Sequence, residues 1–129
     1  MNVLMDTHVW LWYLLGDKRL SSEHKKRIED ENVTLWLSPV SVWEAHLLIE
    51  RRRITATEPA ARWIRNALRA LPVREAPLTY AVAIRSRTIA LEHEDPADRF
   101  IVATALELKA ALLTADERLL RSGQVECIS

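Results

Sequence analysis

The chain has 129 residues, 49% of them hydrophobic, and its 18 basic and 18 acidic side chains balance to a formal net charge of zero. That length carries one good core and is too short for two ordinary domains, so residues 1–129 are read as a single domain. Two glycines and five prolines exclude a collagen-like repeat or long structureless segments. The single cysteine, Cys127, excludes an internal disulfide, weighs against thiolate metal sites and suits a reducing, cytoplasmic compartment.

The N-terminal run MNVLMDTHVWLWYLL is apolar but lacks a basic leader, and Asp6 and His8 interrupt it well before the roughly 18–20 residues needed to span a bilayer. NVLMD is instead predicted as a short buried strand, followed by a helix over THVWLWYLLGD that Thr7 caps and Gly16 stops. SSEHKKRIEDE reads as a polar helix capped by Ser21 or Ser22 and anchored by Ile28. VTLWLS reads as a strand by its β-branched and aromatic content. In SPVSVWEAHLLIERRR, helical spacing places Glu44 in one stripe with Val40, Trp43, Leu47 and Leu48.

A further helix covers TEPAARWIRNALRA, with Thr57 as cap and Glu58 and Pro59 in its first turn. Pro72 ends it, before a short strand near Val73. Thr79 opens a helix to about Ile89, with Tyr80, Val82, Ala83 and Ile84 facing inward. The acidic loop HEDPADRF feeds a strong helix from about Ala97 to Lys109. ALLTA is a buried strand, ADERLL a short helix and QVECI a last strand. Apolar strands alternating with helices define an α/β fold, a three-layer α/β/α sandwich around a mainly parallel sheet. Such sheets collect ligands beyond the carboxyl ends of their strands, where Asp6 and Asp116 fall.

Four acids stand out by position. Asp6 ends VLM, Glu44 interrupts an apolar helix, Asp98 precedes FIVATALEL, and Asp116 follows ALLT. Carboxylates gathered from such places repel one another, so a fold that collects them calls for a bound cation. Each also has a plainer role. Asp6 and Asp116 can cap the helices that follow them, and a buried Glu44 can pair with an arginine. Asp95 and Asp98 compete for the same role, one as cap and the other as ligand, because Pro96 pushes Asp95 out of helical geometry. Arg99 is placed to pair with a carboxylate or hold the loop, and Thr114 to hydrogen-bond a carboxylate or a cation's water. His8, His24, His46 and His93 form no metal-binding spacing. Acids without histidine or cysteine partners select Mg²⁺ or Mn²⁺ over zinc. Phosphodiester hydrolysis, with one cation or two, is the chemistry such a site supports. No Ser/Cys–His pair, phosphate-binding glycine loop or dinucleotide fingerprint competes.

Charge is unevenly spread. From Arg51 to Arg74 there are seven arginines (51, 52, 53, 62, 65, 69 and 74) against Glu58 alone, and 14 of the 18 basic residues are arginine. The run forms either solvated helix faces or a rim for RNA or an acidic partner.

LMDTHVWLWYL, SVWE, HEDPADRFIVATALEL and ALLTADERL together resemble the PIN-domain ribonucleases, in particular the VapC-like toxins of type II toxin–antitoxin pairs, over nearly the whole chain. The resemblance implies a PIN-like sandwich and a quartet of Asp6, Glu44, Asp98 and Asp116 that binds Mg²⁺ or Mn²⁺. It places Asp95 and Arg99 in a D-P-x-D-R element and Thr7 and Thr114 at small hydroxyl positions near the metal. It also implies an RNA substrate, a homodimer and a cognate antitoxin. Ala97 stands where phenylalanine is frequent, and Lys109 where glycine is frequent. The surplus of aromatic residues, Trp10, Trp12 and Trp43 among them, points to a dimer or partner groove. The competing readings are a non-catalytic RNA- or protein-binding module built on the arginine-rich 51–74 stretch, which zero net charge disfavours, and a phosphatase or other nuclease on a similar carboxylate cluster.

Overall fold

The computed structural model describes residues 1–92 and 94–129. Its elements run β1 (Asn2–Met5), α1 (Thr7–Leu15), α2 (Ser22–Ile28), β2 (Thr34–Leu37), α3 (Pro39–Glu50) and α4 (Ala60–Ala70). They continue β3 (Arg74–Glu75), α5 (Tyr80–Thr88), α6 (Pro96–Leu108), β4 (Ala111–Leu113), α7 (Glu117–Ser122) and β5 (Cys127–Ile128). The sheet order is β3-β2-β1-β4-β5, and every pairing is parallel.

A parallel sheet covered on both sides needs apolar residues on both faces of its strands. Val3 and Met5 of β1, Leu35 and Leu37 of β2 and Leu113 of β4 pack with Val9, Trp10 and Leu11 of α1, Ile28 of α2, Ala45 of α3 and Ile64 and Ala67 of α4. Leu4 and Leu112 point the other way, against Ile101, Val102 and Ala105 of α6 and Leu119 of α7. The expected three layers follow from this alternation. Each fully buried aliphatic contributes roughly 1.5–3 kcal/mol, so core packing sets where the strand ends lie.

The register aligns those ends. Met5 pairs with Leu37 on one side and Leu113 on the other, and Leu113 pairs with Ile128. The chain enters α1, α3 and α7 from neighbouring points on one rim. In a 3-2-1-4-5 order the direction of winding reverses between β1 and β4, which opens a crevice at that rim.

Local signals explain most boundaries. Asp6, Ser21, Ser38, Thr79, Asp95 and Asp116 all accept a backbone N–H of the helix they precede. Pro39 and Pro96 stand in first turns, where a missing N–H costs nothing. Gly16 ends α1 in the left-handed conformation (φ 63°), and Lys109 does the same for α6 (φ 53°) at the place where glycine is frequent. Ala97, in the position often held by phenylalanine, is buried.

Four expectations require correction. Asp6 caps α1 by accepting the Thr7 amide, so Thr7 is the first helical residue and does not cap it. The helix after the arginine run starts at Ala60, with Pro59 at its cap and no side-chain cap bond, so Thr57 does not cap it. On α5 only Val82 of the four apolar residues turns inward. Tyr80 is 92% and Ile84 68% exposed, because apolar side chains occur all round this helix and helical spacing alone selects no face. On α3 the buried face is Val40, Ser41 and Ala45, which leaves Trp43 exposed and Glu44 on the margin.

Candidate active site

Asp6, Glu44, Asp95, Asp98 and Asp116 line one cavity of about 360 Å³, together with His8, Trp12, Arg19, Ala115 and Arg118. It lies beyond the carboxyl ends of β1 and β4. Acids separated by up to 110 positions meet there because β1 and β4 are neighbours and α3 and α6 flank β1 from opposite layers.

Asp6 is the most deeply set of the five. Its Oδ1 accepts the Thr7 amide at 2.7 Å and its Oδ2 accepts the Thr114 hydroxyl at 2.8 Å. Burial raises its pKa, with these hydrogen bonds and His8 opposing the shift. Asp6 is thus both helix cap and cavity wall, because its two oxygens face different groups.

The Thr7 hydroxyl lies between Ser41 Oγ, 2.8 Å away, and Glu44 Oε1, to which it is also hydrogen-bonded. Glu44 follows Ser41 by three residues and therefore shares its helix face. Its pKa is raised by desolvation, with Asp6 and Asp95 adding negative charge and the Thr7 bond opposing. Thr114 closes the other side, receiving the Asp116 amide at 3.1 Å while it donates to Asp6. Ser41 carried no signal by itself in the sequence. Its spacing of three from Glu44 on a helix was the one available clue.

On the α6 side, Asp95 is the cap, its Oδ1 receiving the Ala97 amide at 3.0 Å, and Asp98 stands one turn into the helix. The choice of cap left open by sequence is thereby resolved. The Asp98 carboxyl is pushed up to about 7, first by desolvation and then by the charges of Asp6, Asp95, Asp116 and Glu44. Arg99 is buried, and its guanidinium donates to the carbonyls of Ser86, Leu91 and Ile89. It holds the end of α5 and the following loop against α6.

Asp116 caps α7 through the Arg118 amide at 2.9 Å and pairs with the same arginine's guanidinium. Desolvation works upward on Asp116, but the bonds from Arg118 hold its pKa below the ordinary value. Arg118 also reaches Asp98 at 3.6 Å. Arg118 and Arg19 were not singled out by sequence. Arg19 pairs with Asp17 at 2.8 Å and lies over the Trp12 ring at 5.0 Å.

The other candidates are spread differently. His8 lines the cavity and its ring tilts against Trp12 at 6.0 Å. His24 is buried and bonded to the Ile128 carbonyl, His46 pairs with Glu50 on the outside of α3, and His93 lies outside the described residues. Trp10 is wholly buried and so adds nothing to any groove. All seven arginines between positions 51 and 74 are exposed. Among the described residues, no three His, Cys, Asp or Glu side chains converge tightly enough to enclose an ion by themselves.

The PIN-domain family model matches residues 3–124. Ribonuclease VapC22 of Mycobacterium tuberculosis is 36% identical over 121 residues, covering 92% of this chain and 89% of that protein. The chain belongs to the PIN-domain family. Among solved structures, its fold is similar to that of VapBC2 from Rickettsia felis, with a TM-score of 0.74 at 12% identity over 99% of this chain and 98% of the other. It is equally similar to VapBC-1 from nontypeable Haemophilus influenzae, with a TM-score of 0.74 at 19% identity over 100% and 98%. At those identities the two structures speak for the fold, and the Mycobacterium relative for the family.

Proposed function

We propose that this chain is a divalent-metal-dependent endoribonuclease, the toxin of a toxin–antitoxin pair, with residues 1–129 forming one PIN-like domain. The observation that carries the reading is the cavity of five carboxylates at the crevice of a PIN fold whose Mycobacterium relative is named a ribonuclease. Asp6, Glu44, Asp98 and Asp116 are the residues assigned to hold the ion, with Thr7, Asp95, Arg99 and Thr114 supporting them.

The donor set fits Mg²⁺ or Mn²⁺, since it is all carboxylate oxygen with no thiolate. An open arrangement suits Mg²⁺ in particular, which dehydrates reluctantly and is commonly held by one or two carboxylates and several waters. An ion held by these carboxylates would supply charge neutralisation at a phosphoryl oxygen and a more acidic water. The chain's own groups do the rest. Thr7 and Thr114 hold Glu44 and Asp6 in fixed orientations, so little rearrangement is needed when charge develops. Arg99 ties the preceding loop to the helix that carries Asp98.

RNA is the proposed substrate, cut in the cytoplasm. Among the described residues no helix is long and apolar enough to cross a membrane. An antitoxin chain is the proposed partner. The similar solved structure from Klebsiella pneumoniae, described as a toxin–antitoxin complex, supports that pairing. A groove lined by Leu11, Trp12, Leu15, Leu48 and Ile54 together with Asp17, Arg53 and Thr55, continuous with the acidic cavity through His8, Trp12 and Arg19, offers it a mixed apolar and charged seat. A homodimer through the exposed Leu78, Tyr80 and Ile84 of the α5 region is also proposed. Light scattering should give twice the chain mass, and a strict monomer counts against it.

The deciding experiment is RNA cleavage by purified protein with Mg²⁺ or Mn²⁺, beside the Asp6→Asn variant. Asparagine still caps a helix, so the fold should survive while cleavage is lost. Equal cleavage by the variant would overturn the assignment. RNA binding that persists without the acids and without divalent metal would favour the arginine-rich binding module instead, and profiling DNA and phosphate monoesters separates other hydrolases.

A further inference from the structure

Arg118 follows Asp116 by two residues and turns back over it. Its guanidinium Nη2 lies 3.2 Å from Asp116 Oδ2 and 3.6 Å from Asp98 Oδ2, and its Nε is 3.4 Å from Asp116 Oδ1. One cationic group therefore bridges carboxylates from two elements, α6 and the start of α7. A divalent cation shared by those acids would compete for the same oxygens.

Two features make Arg118 displaceable. Its side chain is 53% exposed, so it can leave without stranding a buried charge, in contrast to the enclosed Arg99. It also forms the boundary between the acidic cavity and a second cavity of about 360 Å³, bounded by Leu91, Glu92, Arg121 and Ser122. Arg121 is three residues further along α7 and so shares its face. A guanidinium that swings from the acids toward this second cavity joins Arg121 in a two-arginine rim. Arginine's planar fork matches phosphate oxygens.

We propose that Arg118 is an internal counter-ion of Asp98 and Asp116 that a divalent cation displaces, and that the released guanidinium then holds the RNA phosphate beside the cleaved bond. The inference rests on the ribonuclease reading for its second half. Its first half concerns ion binding alone.

The test is Mn²⁺ titration of RNA-free protein by calorimetry, for wild type, Arg118→Gln and Arg118→Lys, followed by steady-state cleavage across a salt series. Arg118→Gln should bind Mn²⁺ roughly three- to fivefold more tightly, the scale of an exposed ion pair. The same variant should raise KM for RNA more than it lowers kcat. It should also make the salt dependence of log kcat/KM shallower by about 0.7, the loss of one single-strand phosphate contact. Arg118→Lys should restore the salt dependence, because it keeps the charge, but compete less well with Mn²⁺ for want of the fork. Unchanged or weaker Mn²⁺ binding by Arg118→Gln, with an unchanged melting curve, overturns the counter-ion role. Tighter Mn²⁺ binding with an unchanged salt slope overturns the phosphate role. Wild-type protein that binds no Mn²⁺ overturns the metal reading and this inference together. Wild-type protein that binds Mn²⁺ without cutting RNA overturns the ribonuclease reading and the phosphate role alone.

Discussion

The two halves of the acidic cavity are held in different ways. On the α1–α3 side, Asp6 and Glu44 are fixed by neutral hydroxyls, with Thr114 donating to Asp6 and Thr7 to Glu44. On the α6–α7 side, Asp98 and Asp116 face the charged Arg118 across 3.6 Å and 3.2 Å. Hydroxyls orient a carboxylate without cancelling its charge, whereas a guanidinium cancels charge and competes with any cation. On the proposed function, the first half would be pre-organised for an ion, whereas the second carries its own counter-charge.

The largest effect that tests this contrast should come from Thr7→Val. It removes the hydroxyl that orients Glu44 and leaves the carboxylate itself in place, and loss of such an orienting bond typically costs about 10–100-fold in metal affinity or activity. Cleavage rate and Mn²⁺ affinity should fall together, with about 1 kcal/mol of stability lost with the hydrogen bond. A Thr7→Val protein with wild-type Mn²⁺ affinity would show that the hydroxyl side is not pre-organised.

A smaller effect should appear in the pH dependence of stability. The Asp98 carboxyl rises from 3.8 to about 7 on folding, with desolvation the largest cause. Folding therefore takes up a proton between those values, and the metal-free protein loses stability as pH rises through that window. Asp98→Asn removes the charge responsible. In EDTA it should melt above wild type at pH 8, with the difference shrinking toward pH 5. Mn²⁺, which binds the ionised form, should raise the wild-type Tm more at pH 8 than at pH 5. A melting difference that is the same at both pH values would mean that Asp98 keeps its ordinary pKa on folding, its charge fully balanced by Arg118 despite burial.

Much of the arrangement was legible in residue order. Asp6 and Asp116 follow short apolar runs that read as strands, and a parallel sheet brings such strand ends to one rim. Glu44 was harder, because the helical stripe that drew attention to it also included Trp43, which is exposed. The buried face of α3 lies one residue over, at Ser41 and Ala45, and spacing cannot fix a rotation of that size. Asp95 and Asp98 enter the same helix three residues apart, so either was a reasonable cap. The extended backbone before Pro96 gave that role to Asp95. Tyr80 and Ile84 sit on a helix with apolar residues all round, where only the packing of Val82 and Ser86 reveals the inner face.

The sequence by itself determined the layers and the strand ends, because strand periodicity, helix caps and prolines act over a few residues. It also supplied acids without cysteine partners, the donor chemistry that a hard cation prefers. The tertiary structure alone decided which acids share a cavity, which hydroxyls orient them and which arginine balances them. Thr7 and Glu44 are 37 positions apart, and Thr114 and Asp6 are 108 apart. Contacts of that separation depend on strand order and helix rotation, which the whole core fixes together and no local pattern encodes.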